Sequence, residues 1–204
     1  MRSNKPRDEN SHCPRCYQRR EICICPILPT VETKTEFLIL RHIWEAERPS
    51  NTGRLVALSM PNSRIIPCGG GSRIGLVPVD DELLQAPGTW LLWPDGSGAE
   101  TNPSNLTPPT RIVVIDATWQ QARRLYGTMP VLRTMPRLAL PTPIRSRSRL
   151  RKQHRSDGMS TIEAVAAAVA RLEGAETARP LEELYDELVK RTTSLRWGTK
   201  RSGT

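Results

Sequence analysis

Cys13, Cys16, Cys23 and Cys25 fall within thirteen residues and constrain this chain more than any other feature. Cys13 and Cys16 form a C-x-x-C pair; Cys23 and Cys25 form a C-x-C pair. Thiolates at such spacing converge on one tetrahedral ion, usually zinc. Four sulfurs leave no open coordination position, so the predicted site is structural and closes residues 12–30 into a knuckle. An iron–sulfur cluster is the lesser metal option. A disulfide pair or free thiols are the alternatives without metal. No export leader precedes the cysteines, and a reducing compartment disfavours disulfides. Arg15, Arg19 and Arg20 lie in or beside the knuckle, where they offset the negative charge of zinc plus four thiolates. Cys68 stands alone and reads as a small buried residue.

The 204 residues suffice for one domain with a real core and a small appendage. Residues 1–11 are polar and read as a disordered tail, 12–30 as the knuckle, 31–197 as the main domain and 198–204 as a basic tail. No apolar run reaches membrane-spanning length, so the expectation is a soluble cytoplasmic protein, with a monomer favoured. Lys and Arg number 30 against 21 Asp and Glu, and the net charge is +9. Most of the basic residues are arginine, whose planar fork suits phosphate and base edges. The charge is clustered. Arg145, Arg147, Arg149, Arg151, Lys152 and Arg155 come with no acid among them, and so do Lys190, Arg191, Arg196, Lys200 and Arg201. This asymmetry points to a polyanion, naturally RNA; a plain solvated basic face is the alternative. Aromatic residues make up only 4% of the chain, which argues against a stacking platform for single strands.

Apolar runs alternate with helical patterns. Strands are predicted at 36–41, 64–67, 89–93, 111–115 and 137–140. Helices are predicted around Leu55–Ser59, at 80–85, 118–126 and 161–172, and in a last amphipathic stretch at 181–195. Cys68 to Ser72 and residues 95–110 read as loops. Arg111 to Ile115 is the clearest strand, apolar on both faces as parallel strands are. The expected fold is therefore α/β, a mainly parallel sheet flanked by helices, with the small zinc knuckle at its N-terminus.

Ligands of open α/β sheets bind outside the carboxyl ends of the strands. Three such ends carry polar or special residues: Arg41-His42, Trp93-Pro94 and Asp116. Asp116 also feeds a helix, so it is either a catalytic acid or only a helix cap. Arg41 and His42 open a dense polar stretch through Glu45, Arg48, Ser50, Asn51, Thr52, Gly53 and Arg54, whose helix N-terminus suits an anion. His42 and Glu45 complete no zinc-protease motif. Ser160 with Glu163 has the spacing of a capping box.

Taken in order, these motifs resemble one family. They are Cys13-x-x-Cys16 with Cys23-x-Cys25; Arg41-His42-x-x-Glu45-x-x-Arg48-x-Ser50-Asn51-Thr52; Asp116-x-Thr118-Trp119-x-x-Ala122-Arg123; and Ser160-Thr161-x-Glu163-Ala164. The chain resembles the DTW-domain family, the tRNA-uridine aminocarboxypropyltransferases, from about His12 to the final helix. The resemblance implies distant kinship to the SPOUT methyltransferases, with a knot near the C-terminus. It implies transfer of the 3-amino-3-carboxypropyl group of S-adenosylmethionine to N3 of a tRNA uridine, with release of 5′-methylthioadenosine. It also implies site residues. Asp116, Thr118 and Trp119 would be catalytic, with Asp116 the base or an anchor. Leu92, Trp93, Pro94, Asp116, Trp119, Ser160, Thr161 and Glu163 would line the donor pocket. Arg41, His42, Arg48, Asn51, Arg54, Arg123, Arg145, Arg147, Arg149 and Arg151 would face RNA, and Arg41, Arg48 or Arg123 could instead hold the donor carboxylate. The cofactors implied are the donor and a structural zinc, and the partner is tRNA. A methyltransferase on the same fold, or a zinc- and RNA-binding protein without activity, is the alternative.

Overall fold

The computed structural model describes residues 10–71, 75–93, 107–140, 150 and 158–201. Its centre is β5 (Arg111–Asp116), whose apolar residues point both ways: Ile112 and Val114 into one core, Val113 into another. A strand buried on both faces needs parallel neighbours and helices above and below. β5 pairs in parallel with β1 (Glu36–His42) and β4 (Thr89–Leu92). β1 in turn pairs in parallel with β2 (Ser63–Gly71), and β4 with β6 (Arg137–Leu138). β3 (Gly75–Val77) adds an antiparallel edge, giving the order β3-β2-β1-β5-β4-β6. The expected α/β sheet, mainly parallel and flanked by helices, is what forms.

α1 (Gly53–Ser59), α5 (Thr161–Glu173) and α6 (Ala175–Arg201) cover one face. α2 (Asp81–Gln85), α3 (Trp119–Thr128) and α4 (Pro130–Thr134) cover the other. The first core joins Phe37 and Ile39 of β1 to Val165 and Val169 of α5 and to Leu184 and Leu188 of α6. Cys16, Ile24 and Val31 belong to this same cluster, so the cysteine segment packs into the main core. No helix among the described residues is long and apolar enough to cross a membrane.

Four elements depart from the sequence reading. The segment Cys68–Gly71, expected as a loop, continues β2. Gly69 takes φ +77°, and this lets the backbone pass the His42 ring while Gly69–Gly71 pair with β3. A side chain at Gly69 would sit 2.6 Å from His42 Cδ2. The last helix begins at Ala175, not after Pro180. Gly174, at φ +99°, ends α5, and burial of Ala178 and Leu181 against the sheet-side core extends α6 back through the proline. The short strand β3 and the single-turn α4 were not expected at all. The expected C-terminal knot falls on the passage from β6 to α5, and residues 141–149 and 151–157 of it lie outside the described residues.

Candidate active site

Asp116 ends β5 with 3% of its surface exposed. It does not cap α3. That role belongs to Thr118, whose hydroxyl accepts from Gln121 N while the Gln121 side chain accepts from Thr118 N at 2.8 Å. The Asp116 carboxylate instead receives two short bonds from remote parts of the chain. Asn51 Nδ2 donates to Oδ2 at 2.6 Å, and Thr161 Oγ1 donates to Oδ1 at 2.6 Å. Both oxygens act as acceptors, as in an ionised carboxylate. Thr161 is the first residue of α5, and the positive end of that helix favours the charge. Gly53 leaves the carboxylate its space, since a Cβ there would lie 2.4 Å from Oδ2. A further bond from Ile162 N to Thr52 Oγ1, at 3.3 Å, ties α5 to the start of α1. Three motifs far apart in sequence thus meet at one buried carboxylate.

Ser160 and Glu163 form a full capping box: Ser160 N and Oγ both donate to Glu163 Oε2, at 2.8 and 2.7 Å. Their observed work is to start α5 and so to aim Thr161. Across the sheet edge, Trp93 stacks on Trp119 with ring centroids 5.3 Å apart and on Tyr126 at 4.5 Å. Trp119 remains 37% exposed, so the stack presents a flat aromatic surface to solvent. Leu92 is buried in the core on the opposite face of the sheet from this stack, and Pro94 lies outside the described residues.

His42 is buried, and its Nδ1 accepts from Trp44 N at 3.2 Å, which leaves Nε2 to carry the proton of a neutral ring. Burial pushes its pKa below the ordinary value, and the charges of Arg124 and Arg48 push further the same way. Gln121 Nε2 approaches the same Nδ1 at 3.5 Å, so α3 and the end of β1 stand side by side. Cys68, paired in register with His42, is buried; its thiol is pushed up to about 12 by burial and then by the Asp116 charge. It is the inert residue its isolation suggested.

Of the residues grouped as RNA-facing, His42, Asn51 and Arg54 are buried. Arg54 is 7% exposed, its guanidinium lies 3.2 Å above the Tyr17 ring, and Nη2 donates to Ala46 O. Arg48 reaches Glu45 at 2.9 Å. Arg123 is exposed on α3. Arg145, Arg147, Arg149 and Arg151 lie outside the described residues. Sequence reading missed Tyr17, Gln121 and Tyr126, because their roles depend on which elements become neighbours. Gly53 was noticed as a permissive backbone position, but what it supplies is room for Asp116.

The four cysteine sulfurs gather as the spacing predicted, all within 4.8 Å of one another. Cys13 Sγ lies 3.7 Å from Cys25 Sγ, and Cys16 Sγ lies 3.8 Å from Cys23 Sγ. A disulfide needs about 2.05 Å, whereas a tetrahedral zinc with bonds of about 2.3 Å holds its sulfurs roughly 3.8 Å apart. The cluster thus has the dimensions of a metal site, and the cysteines are free thiols. Burial and the neighbouring thiols raise Cys25, and burial raises Cys23. At Cys13 burial is outweighed by backbone hydrogen bonds from Cys16 and Arg15, and the thiol falls to about 6. The knuckle grips the site loop directly: besides Tyr17 under Arg54, Gln18 Nε2 donates to Pro49 O. At its other end Arg191 of α6 donates to Cys23 O at 2.6 Å.

The DTW domain model matches residues 10–193, from the knuckle through most of α6. The chain belongs to the DTW domain family. Among curated relatives, tRNA-uridine aminocarboxypropyltransferase A of Arabidopsis thaliana is 30% identical over 209 residues, covering 87% of this chain and 79% of the relative. tRNA-uridine aminocarboxypropyltransferase 2 of Macaca fascicularis is 27% identical, covering 83% of this chain, and that of Mus musculus 28%, covering 81%. The chain spans 59% and 58% of the length of those two relatives. No solved structure matches the chain. For this DTW domain, the motifs carrying the resemblance are the residues that converge on Asp116 and on the sulfur cluster.

Proposed function

We propose that this chain is a tRNA-uridine aminocarboxypropyltransferase, moving the 3-amino-3-carboxypropyl group of S-adenosylmethionine to N3 of a tRNA uridine and releasing 5′-methylthioadenosine. The observation that carries the reading is the junction of Asn51, Asp116 and Thr161 at the carboxyl edge of the sheet, built from the family's own motifs. The activity for which the curated relatives are named supports it.

When bound, the donor supplies a sulfonium whose attached carbons are open to displacement. The chain's part is to bind, orient and exclude water. Asp116, with both oxygens already accepting, holds the starts of α1 and α5 at a fixed separation, and we read it as an anchor rather than a free base. The Trp93–Trp119–Tyr126 stack offers a wall for a flat ring, adenine or uracil. Ser160, Thr161 and Glu163 set the opposite edge. Zinc is the metal we assign to Cys13, Cys16, Cys23 and Cys25. It would neutralise four crowded thiolates and lock Tyr17 and Gln18 against the site loop. A reducing cytoplasm suits such thiolates. We assign RNA docking to exposed Arg123 and to the basic run Arg145, Arg147, Arg149 and Arg151, in a chain of net charge +9. Kinship to the SPOUT methyltransferases, knot included, belongs to the same proposal.

The test is isotopic. Donor labelled in its carboxyl carbon is expected to label tRNA, donor labelled in its methyl is not, and methylthioadenosine accumulates. Methyl label in the RNA with stoichiometric S-adenosylhomocysteine overturns the proposal in favour of a methyltransferase.

A further inference from the structure

Most arginines packed around this sheet have a counter-charge or acceptor. Arg64 and Arg111 share Glu36, at 3.2 and 2.6 Å. Arg48 meets Glu45 and Arg191 meets Glu187; Arg54 also has a buried Nε without an acceptor, but its Nη2 donates to Ala46 O and its guanidinium lies over the Tyr17 ring. Arg41 is different. It stands at the carboxyl end of central β1, in register with Asp116 on β5 and Pro67 on β2. Its Nε is buried and has no hydrogen-bond partner, and no carboxylate among the described residues forms an ion pair with its guanidinium. The Asp116 carboxylate one strand away is held by Asn51 and Thr161.

The cost of this arrangement is high. A buried N–H without an acceptor forfeits the hydrogen bonds it makes in water, and here it belongs to a charged group. Burial pushes Arg54 below its ordinary range, and the charge of Arg41 adds to that push. A buried guanidinium N–H with no acceptor, at the carboxyl end of a central strand, is an arrangement an anion completes. The place is the one where open α/β sheets receive ligands, and Arg41 keeps part of its surface accessible there.

We infer that Arg41 is the carboxylate anchor of the donor pocket: its guanidinium pairs with the α-amino-acid carboxylate of the bound donor and so holds the aminocarboxypropyl arm, not the methyl, toward the acceptor. The inference rests on the proposed function for the identity of the donor. A carboxylate is preferred over an RNA phosphate because Arg41 stands beside Asp116 at the carboxyl ends of the two central strands, the place where open α/β sheets take small ligands. Arg–carboxylate pairing is planar and bidentate, so it fixes direction as well as position. Arg41 is thereby a specificity-determining residue.

The test is a binding cycle. Calorimetry compares S-adenosylmethionine with decarboxylated S-adenosylmethionine on the full-length protein and on Arg41→Met and Arg41→Lys. The unaltered protein is expected to prefer the carboxylated donor by about 10- to 100-fold. Arg41→Met should abolish that preference, and Arg41→Lys should keep part of it. Arg41→Lys retains the charge and carries the test if Arg41→Met does not fold. A preference that survives in the variants overturns the inference while leaving the proposed function standing. Loss confined to tRNA affinity also overturns it and makes Arg41 a phosphate contact. If the unaltered protein binds neither donor, the proposed function falls and the inference with it.

Discussion

Gly53 poses a clean conflict between helix propensity and site geometry. It is the first residue of α1, and its backbone is not left-handed. By propensity alone, Gly53→Ala should stabilise the protein by up to about 1 kcal/mol. The structure says the reverse. A Cβ at this position would lie 2.4 Å from Asp116 Oδ2 and 2.7 Å from Cγ, whereas ordinary contact begins at 3.4 Å. Relief takes about 1 Å of movement by a carboxylate pinned from two sides. A displacement of that size carries a 2.6 Å bond past the limit of hydrogen bonding. Each bond to a charged group is worth about 1.5–3 kcal/mol. One or two lost bonds outweigh the propensity gain and leave a net destabilisation of about 1–4 kcal/mol. Urea unfolding reads this as a lower midpoint at unchanged slope, and calorimetry should show weakened donor binding. Gly127→Ala is the control, because nothing lies within 4 Å of its Cβ position in α3. It should be neutral or mildly stabilising. A Gly53→Ala protein as stable as the original, with full donor affinity, would refute the reasoning.

Two further outcomes follow from the same geometry. Asp116→Asn keeps the shape of the junction: its amide oxygen can accept from Asn51 while its NH2 donates to the Thr161 hydroxyl. Circular dichroism should show a native fold, and turnover, measured by carboxyl-label transfer, should stay within about tenfold, because a tie depends on the junction's shape more than on its charge; a loss of about 100-fold or more would instead make Asp116 the base. At the knuckle, Tyr17→Leu should weaken donor binding by about tenfold with zinc content unchanged, since a shielded cation–π contact is worth about 1–2 kcal/mol. Tyr17→Phe should stay near the original and Cys16→Ser should lose metal, stability and donor binding together, as elemental analysis, thermal unfolding and calorimetry would read.

What the sequence disclosed was what local chemistry decides. The strand Arg111–Asp116 is apolar on both faces, which leaves little but a central parallel strand. The cysteine spacing specifies a cluster before any coordinates exist. The capping box at Ser160 and Glu163 was likewise legible, because its partners are three residues apart. The misreadings have non-local causes. Cys68–Gly71 looks like a loop by composition, and becomes strand because β3 offers it a ladder and His42 takes the space its glycine vacates. Pro180 looks like a helix boundary, yet burial of Ala178 and Leu181 carries α6 through it.

The site divides the same way. Asp116 was conspicuous because an acid at a strand end precedes a helix, and two roles, cap or catalytic acid, remained open. Sequence could not choose between them, since the deciding partners are 65 and 45 residues distant. The geometry supplies a third role, a tie between the starts of α1 and α5, and it leaves in that corner the buried Nε of Arg41, which no acceptor among the described residues meets. The knuckle changes meaning too. Read from spacing it is an appendage, but Tyr17 and Gln18 lean on the loop that carries Asn51, and Asn51 holds Asp116. Sulfur cluster, loop and carboxylate form one chain of contacts, so a site remote from the Asp116 junction bears on that junction's geometry without touching it.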